Sequence, residues 1–291
     1  MNSMLLTDGY KLHHHIHYPE DLITVFSNFT PRTNKYAPKV CQELDGVLVA
    51  GVRFAFASLI EHFNNNFFFT KERSELADNV WAKGELLKLK NKALKPLKTV
   101  LDAYTNGDYD ISHFEKLWDL GHLPINVRAL DEGTICPIGV PMLTIWNTGG
   151  KDFAWVPNFL ETILSLKLWK MMTSATIALA YRKVIEGYNK ETDPANLAGT
   201  QWQCHDFSMR GMDDENAAAI SGVGHLFSFT GTDCLPALFA AEKYYGPTTY
   251  IGGGVPATEH SVASSYYHEA PTQVEEQWDE EKEEWVPVRY F

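Results

Sequence analysis

Apolar positions in this chain follow two periods. From Gly46 to Phe63 the residues are mostly apolar, over a length that fits a buried helix. Between Glu85 and Tyr104, residues Leu86, Leu87, Leu89, Leu94, Leu97, Val100 and Leu101 fall at helical spacing with lysines on the other face. Pro96 predicts a kink or a new start there, because proline lacks the N–H that the helix needs. The lysines read as a solvated face rather than a binding patch. Asn158 to Met172 and Ser174 to Asn189 predict two more helices, Thr173 capping the second. Strand alternation marks Ile23 to Thr30, Leu123 to Ala129 and, beyond a turn at Glu132-Gly133, a strand pair within Pro137 to Trp146. Leu5-Leu6-Thr7-Asp8 opens a helix with Thr7 or Asp8 as N-cap. His13, His14, His15 and His17 then read as a polar helix end in preference to a metal site.

The most informative stretch runs from Gln203 to Ser264. It holds three polar clusters, His205-Asp206-Phe207-Ser208-Met209-Arg210-Gly211, Gly231-Thr232-Asp233 and Glu259-His260-Ser261. Leu226 to Phe229 predicts a strand, Thr230-Gly231-Thr232 a turn and Cys234 to Tyr245 a helix, a repeated βα unit. In βα barrels the loops after the strands converge on one face, which would bring an aromatic ring, an arginine, an aspartate and a histidine into one pocket. Each has a plainer reading. Phe207 can be a core residue at a strand end, Arg210 a surface partner of Asp213 or Asp214, Asp233 the N-cap of the next helix, and His260 a structural histidine that Glu259 orients.

Charge and composition narrow the class. A net charge of −12 argues against a nucleic-acid surface, which needs a basic patch. Hydrophobic content of 45% with 21% charged residues fits a folded core. Four scattered cysteines without a CxxC pair predict neither structural zinc nor a disulfide framework, and favour a reducing, cytoplasmic setting. The start has no apolar signal core, and no run is expected to reach the length of a membrane span. From Glu269 onward the acidic tail predicts a solvated helix or a disordered segment.

HDFSMRG, GTD and PATEHS, preceded by LLTDGYK and GHLPINVRALDEGTICPIGVPMLTIWNT, resemble nicotinamide phosphoribosyltransferases, of the type II phosphoribosyltransferase family, over residues 5 to 268. The resemblance implies an α/β fold with a partial α/β barrel, a helical domain and an N-terminal β-containing domain. The expected division places the β-containing domain at 1–34 and 121–148, the helical domain at 35–120 and 149–190, the start of the barrel at 191–268 and the acidic tail at 269–291.

The implied reaction joins nicotinamide and phosphoribosyl pyrophosphate into nicotinamide mononucleotide and pyrophosphate. The same resemblance assigns Phe207 to stacking on the pyridine ring and Arg210 to its pocket. It makes Asp233 the acceptor for the carboxamide, which selects against nicotinate, and His260 the group phosphorylated by ATP. Tyr10 would reach the pocket of a partner subunit in a homodimer, and Arg32 would contact phosphate.

Magnesium is expected, with ligands in the part of the family's length that follows the EHS motif. No metal ligand is assigned within this chain, and a complementing C-terminal segment is expected as partner. The 291 residues alone are expected not to turn over substrate. A nicotinate phosphoribosyltransferase and a non-catalytic dimerising or binding fragment are the alternatives.

Overall fold

The computed structural model describes residues 1–76, 82–246, 251–266 and 275–288. The chain divides into two compact units, Met1–Gly253 and Gly254–Phe291.

The first unit opens with 3-10 turns at Ser3–Leu5 and Gly9–His13, then α1 (His14–His17). Neither predicted cap caps. The Thr7 hydroxyl donates to the Phe159 carbonyl at 2.9 Å, and Asp8 accepts from the Thr162 hydroxyl at 2.7 Å. These bonds tie the N-terminus to two later, successive helices, at Phe159 and at Thr162. β1 (Phe26–Phe29), α2 (Lys39–Gln42), β2 (Val47–Leu48) and α3 (Val52–Phe63) follow, and a π turn at Asn64–Phe68 leads to α4 (Thr70–Leu76).

Next come α5 (Lys83–Thr105), α6 (Ser112–Leu120), β3 (Ile125–Ala129), β4 (Ile135–Cys136), β5 (Leu143–Asn147), α7 (Val156–Phe159), α8 (Glu161–Thr192), α9 (Glu215–Leu226) and α10 (Leu235–Tyr245).

Ile23 to Thr30 and Leu123 to Ala129 each give one strand, β1 and β3, but Pro137 to Trp146 gives no strand pair: it contributes to β5 alone, and the sheets are antiparallel. β5 lies between β1 and β3, with Ile145 opposite both Ser27 and Val127. Leu143, Ile145 and Asn147 turn inward, so the period of two is a one-sided burial pattern. β2 pairs with β4. The apolar run from Gly46 is therefore not one helix: it gives β2, a left-handed turn at Gly51 (φ 78°), then α3.

Two helix predictions are corrected. Pro96 starts no new helix: it lies inside α5, where the neighbouring Leu94, Leu97 and Leu101 are buried and their packing outweighs one lost backbone bond. Residues 158–189 give no break at Thr173. α8 runs straight through as one helix of 32 residues. Thr176 fits its interior because its hydroxyl donates to the Met172 carbonyl at 2.7 Å and accepts from Leu48 N–H at 3.0 Å. Segment Lys151–Thr192 contains a stretch long and apolar enough to cross a membrane by length and composition, contrary to expectation. Half of that stretch is buried within the protein.

Two main cores result. One is aromatic, with Phe63, Phe67, Phe114, Trp118, Trp155 and Phe159 buried together. The other is built of small residues, chiefly alanines of α8, α9 and α10 such as Ala175, Ala218, Ala219 and Ala237. Small side chains let these helices approach closely. A Cβ on Gly224 of α9 would fall 2.7 Å from the Met171 carbonyl of α8. This second core supports the segments that carry the candidate site.

In the second unit, α11 (His260–Ser265) precedes an antiparallel hairpin of β6 (Glu275–Asp279) and β7 (Glu284–Val288). The described part of the acidic tail is thus neither helical nor disordered. Trp278 pairs directly with Trp285, their rings 5.7 Å apart and edge to face, a cross-strand aromatic pair that stabilises the hairpin.

Candidate active site

Three short extended segments lie side by side and parallel within the first unit. Asp206 bridges to Thr232, and Gly231 to Gly253. Asp206 N–H donates to Gly231 O at 3.1 Å and Asp233 N–H to Asp206 O at 3.0 Å. Thr232 N–H donates to Gly253 O and Gly253 N–H to Thr230 O, both at 2.9 Å. The first segment passes through a 3-10 turn, Ser208–Gly211, into α9, and the second leads into α10. This is parallel strand-then-helix order, with Phe207 and Asp233 where the first two segments end.

The predicted strand Leu226–Phe229 is not formed. Leu226 ends α9, and the extended backbone begins only at Thr230, so Gly231 and Thr232 are ladder residues rather than a turn. The α9 face made by Ala218, Ala219, Gly222 and Val223 is buried, which holds this apolar run in the helix. His225 at its end donates from Nε2 to Gly231 O at 3.0 Å and stacks on the buried Phe229. Burial pushes its pKa down, so the neutral ring is favoured.

Around these ends the side chains converge. His205 Nε2 lies 3.1 Å from Asp233 Oδ1. The His205 ring packs against the Phe207 ring, with centroids 4.7 Å apart and a tilt of 35°. Phe207 is 66% exposed, which rules out the core reading and leaves a free aromatic face.

Asp233 is not a helix cap. No side chain caps α10: Thr232 Oγ1 accepts from Cys234 N–H at 3.0 Å just ahead of the helix, while Asp233 points its carboxylate to His205. Arg210 is exposed in the 3-10 turn and, among the described residues, pairs with neither Asp213 nor Asp214. Asp214 instead caps α9, accepting from Ala217 N–H at 2.7 Å. Asp206 is buried, with Oδ1 accepting from Ser208 N–H at 2.9 Å and Oδ2 without a partner. His205 had no role assigned from sequence; its signal was its place beside Asp206 in a motif that precedes a second acidic strand end.

Two other predicted residues of the first unit, Tyr10 and Arg32, lie outside this cluster. Tyr10 is exposed, edge-on to His14 at 5.2 Å, and shows no contact with Phe207 or Asp233 among the described residues. Its neighbour Lys11 is buried. Burial lowers its pKa, but the ion pair with Glu161 outweighs this and the net shift is upward. Arg32 is exposed and lines two grooves of about 590 and 550 Å³, one beside Tyr36 and Trp169, the other beside Asn28 and Asn158. His260 belongs to the second unit, where it is exposed and begins α11. Glu259 does not orient it: that carboxylate accepts from the Ser261 hydroxyl.

No three metal-binding side chains gather among the described residues, the N-terminal histidines included. His15 instead stacks on the buried His113, with ring centroids 3.7 Å apart. All four cysteines are free thiols.

Comparison with known proteins agrees with the sequence resemblance. The model of the nicotinate phosphoribosyltransferase (NAPRTase) family matches residues 202–283, so the likeness continues past residue 268 into the tail. The nicotinamide phosphoribosyltransferase of Acinetobacter baylyi is 38% identical over 263 residues, covering 90% of this chain and 48% of that protein. Its namesake from Mycoplasma genitalium is 27% identical over 290 residues, 94% of this chain and 56% of the relative. The chain thus spans about half the length of the curated relatives it matches. A crystal structure of human nicotinic acid phosphoribosyltransferase shares the fold at a TM-score of 0.51 and 19% identity, covering 92% of this chain and 42% of that one.

Proposed function

We infer that the chain belongs to the nicotinate phosphoribosyltransferase family and that its site serves transfer of a phosphoribosyl group to nicotinamide. The observation that carries this reading is the placing of the exposed Phe207 ring and the Asp233 carboxylate against one imidazole, His205. Phe207 offers a face for a flat pyridine ring, and Asp233 accepts from the carboxamide N–H2. A nicotinate carboxylate would meet Asp233 as a like charge, which disfavours it.

In the reaction the pyridine nitrogen forms a bond to the anomeric carbon as the bond to pyrophosphate breaks. The protein's part is to hold the ring in line and to offset the charge that develops. Arg210, unpaired with its neighbouring acids, is assigned to the carbonyl or a phosphate oxygen, and Arg32 to phosphate. Tyr10 is assigned to the pocket of a second subunit in a homodimer, its exposure leaving much of the ring accessible beside Lys11 and His14. His260 is assigned as phosphate acceptor from ATP.

Magnesium belongs to this proposal through the pyrophosphate. Among the described residues no three metal-binding side chains gather into a cradle for it. The three parallel segments support the start of an α/β barrel at 191–268, with the β-containing and helical parts as divided above. A cytoplasmic location accords with the four free thiols.

The test is formation of nicotinamide mononucleotide from nicotinamide, phosphoribosyl pyrophosphate and magnesium. It is run with the 291-residue chain alone and with a segment supplying the remaining length of its relatives. Turnover is expected only in the second case and is abolished by Asp233→Ala. Preference for nicotinate would overturn the reading.

A further inference from the structure

The geometry points to His205 as a positioning residue for Asp233, with Gly231 as the position that gives the imidazole its room. An ionised carboxylate only accepts, so His205 Nε2 carries the hydrogen in its 3.1 Å contact with Asp233 Oδ1. That bond anchors Oδ1, and among the described residues Oδ2 has no partner, which leaves it to accept from a ligand.

The imidazole is itself held. Phe207 packs against it at 4.7 Å. On another side its Nδ1 comes so near Gly231 that a Cβ there would lie 2.7 Å from it. Gly231 has no left-handed backbone to explain its identity. The close approach of the ring is the reason a side chain is not accommodated. The Gly231 carbonyl is fixed in turn by Asp206 N–H at 3.1 Å and His225 Nε2 at 3.0 Å. The ring therefore rests on a backbone that is bonded from both sides.

Without this support Asp233, whose side chain is 47% exposed, would sample several rotamers. With it, one oxygen is anchored and the carboxylate is held to fewer orientations. The consequence for substrate rests on the proposed nicotinamide reading: His205 prepares Asp233 Oδ2 for the carboxamide N–H2, and a change at residue 205 alters recognition without touching the ligand.

The first arm of the test reads the imidazole itself. Long-range 15N–1H spectra of the full chain, with His205 assigned through His205→Gln, are expected to show the neutral ring protonated at Nε2. Asp233→Ala should shift the ring toward a mixture of tautomers, and Gly231→Ala should move the same resonances by displacing the ring. An unaltered His205 spectrum in Asp233→Ala overturns the positioning.

The second arm is calorimetric titration with nicotinamide. His205→Gln, whose amide N–H2 reaches about as far as Nε2, should bind within about twofold of the parent, and His205→Leu about tenfold more weakly, the loss of one hydrogen bond to a charged group. Equal binding by His205→Leu and the parent overturns the proposal. An intact tautomer effect in a chain that binds no nicotinamide supports the positioning and counts against the proposed function instead.

Discussion

His205 and Asp233 stand 28 residues apart in sequence and meet at 3.1 Å, Nε2 to Oδ1, because their segments lie in adjacent parallel register. The bond turns a carboxylate that resembled a helix cap into a group directed at the end of the strands.

Removing that charge is expected to change selectivity more than stability. Asp233→Asn or Asp233→Ser should weaken nicotinamide use and relax rejection of nicotinate, shifting discrimination by about 1–3 kcal/mol, as for a charged hydrogen bond. A substrate competition assay in an active, complemented preparation measures it. Unchanged preference would contradict the assignment.

Phe207 is 66% exposed, so Phe207→Ala should leave the unfolding midpoint nearly unaltered. Ligand binding should fall, by about 0.5–1.5 kcal/mol for lost stacking. Parallel urea unfolding and ligand titration separate the two effects.

Tyr10→Ala should likewise leave the chain folded, since the ring is exposed and contacts His14 only by its edge. Weaker ligand binding by this variant and a dimer in sedimentation at micromolar concentration are the expected outcomes. A monomer with intact binding would reject the shared pocket.

Acid should destabilise the first unit through His113. Burial, reinforced by the neighbouring His15, lowers its pKa from 6.5 to about 3. The unfolded chain therefore binds the proton more readily between those values. The stability due to the neutral ring is complete above pH 6.5 and is lost progressively as pH falls toward 3, by a few kcal/mol at most. His113→Phe, which keeps the aromatic packing, should flatten that part of the pH profile in denaturant unfolding.

Gly224→Ala should cost about 1–3 kcal/mol, because the added methyl would fall 2.7 Å from the Met171 carbonyl and 2.9 Å from Ser174 Cβ. Thermal unfolding gives the value. A neutral result would mean that α8 and α9 separate without penalty.

Periodicity by itself determined the local elements. α5, α10 and the strands around β3 and β5 were legible because one-sided burial writes its period into the chain. Motif order, through the family resemblance it carries, suggested roles for Phe207, Arg210 and Asp233. Other features depended on partners that sequence spacing does not reveal.

The unbroken α8 rests on Thr176 satisfying its hydroxyl within the helix and against Leu48, where Thr173, read as an N-cap, suggested a break. The tail hairpin rests on Trp278 meeting Trp285 across a turn, in a segment whose acidic composition suggested a solvated helix or no order. The role of His205 arose only from register. A parallel ladder set Asp206 beside Thr232, and the missing side chain of Gly231 let the imidazole through to Asp233, a contact created by tertiary proximity and invisible to any local period.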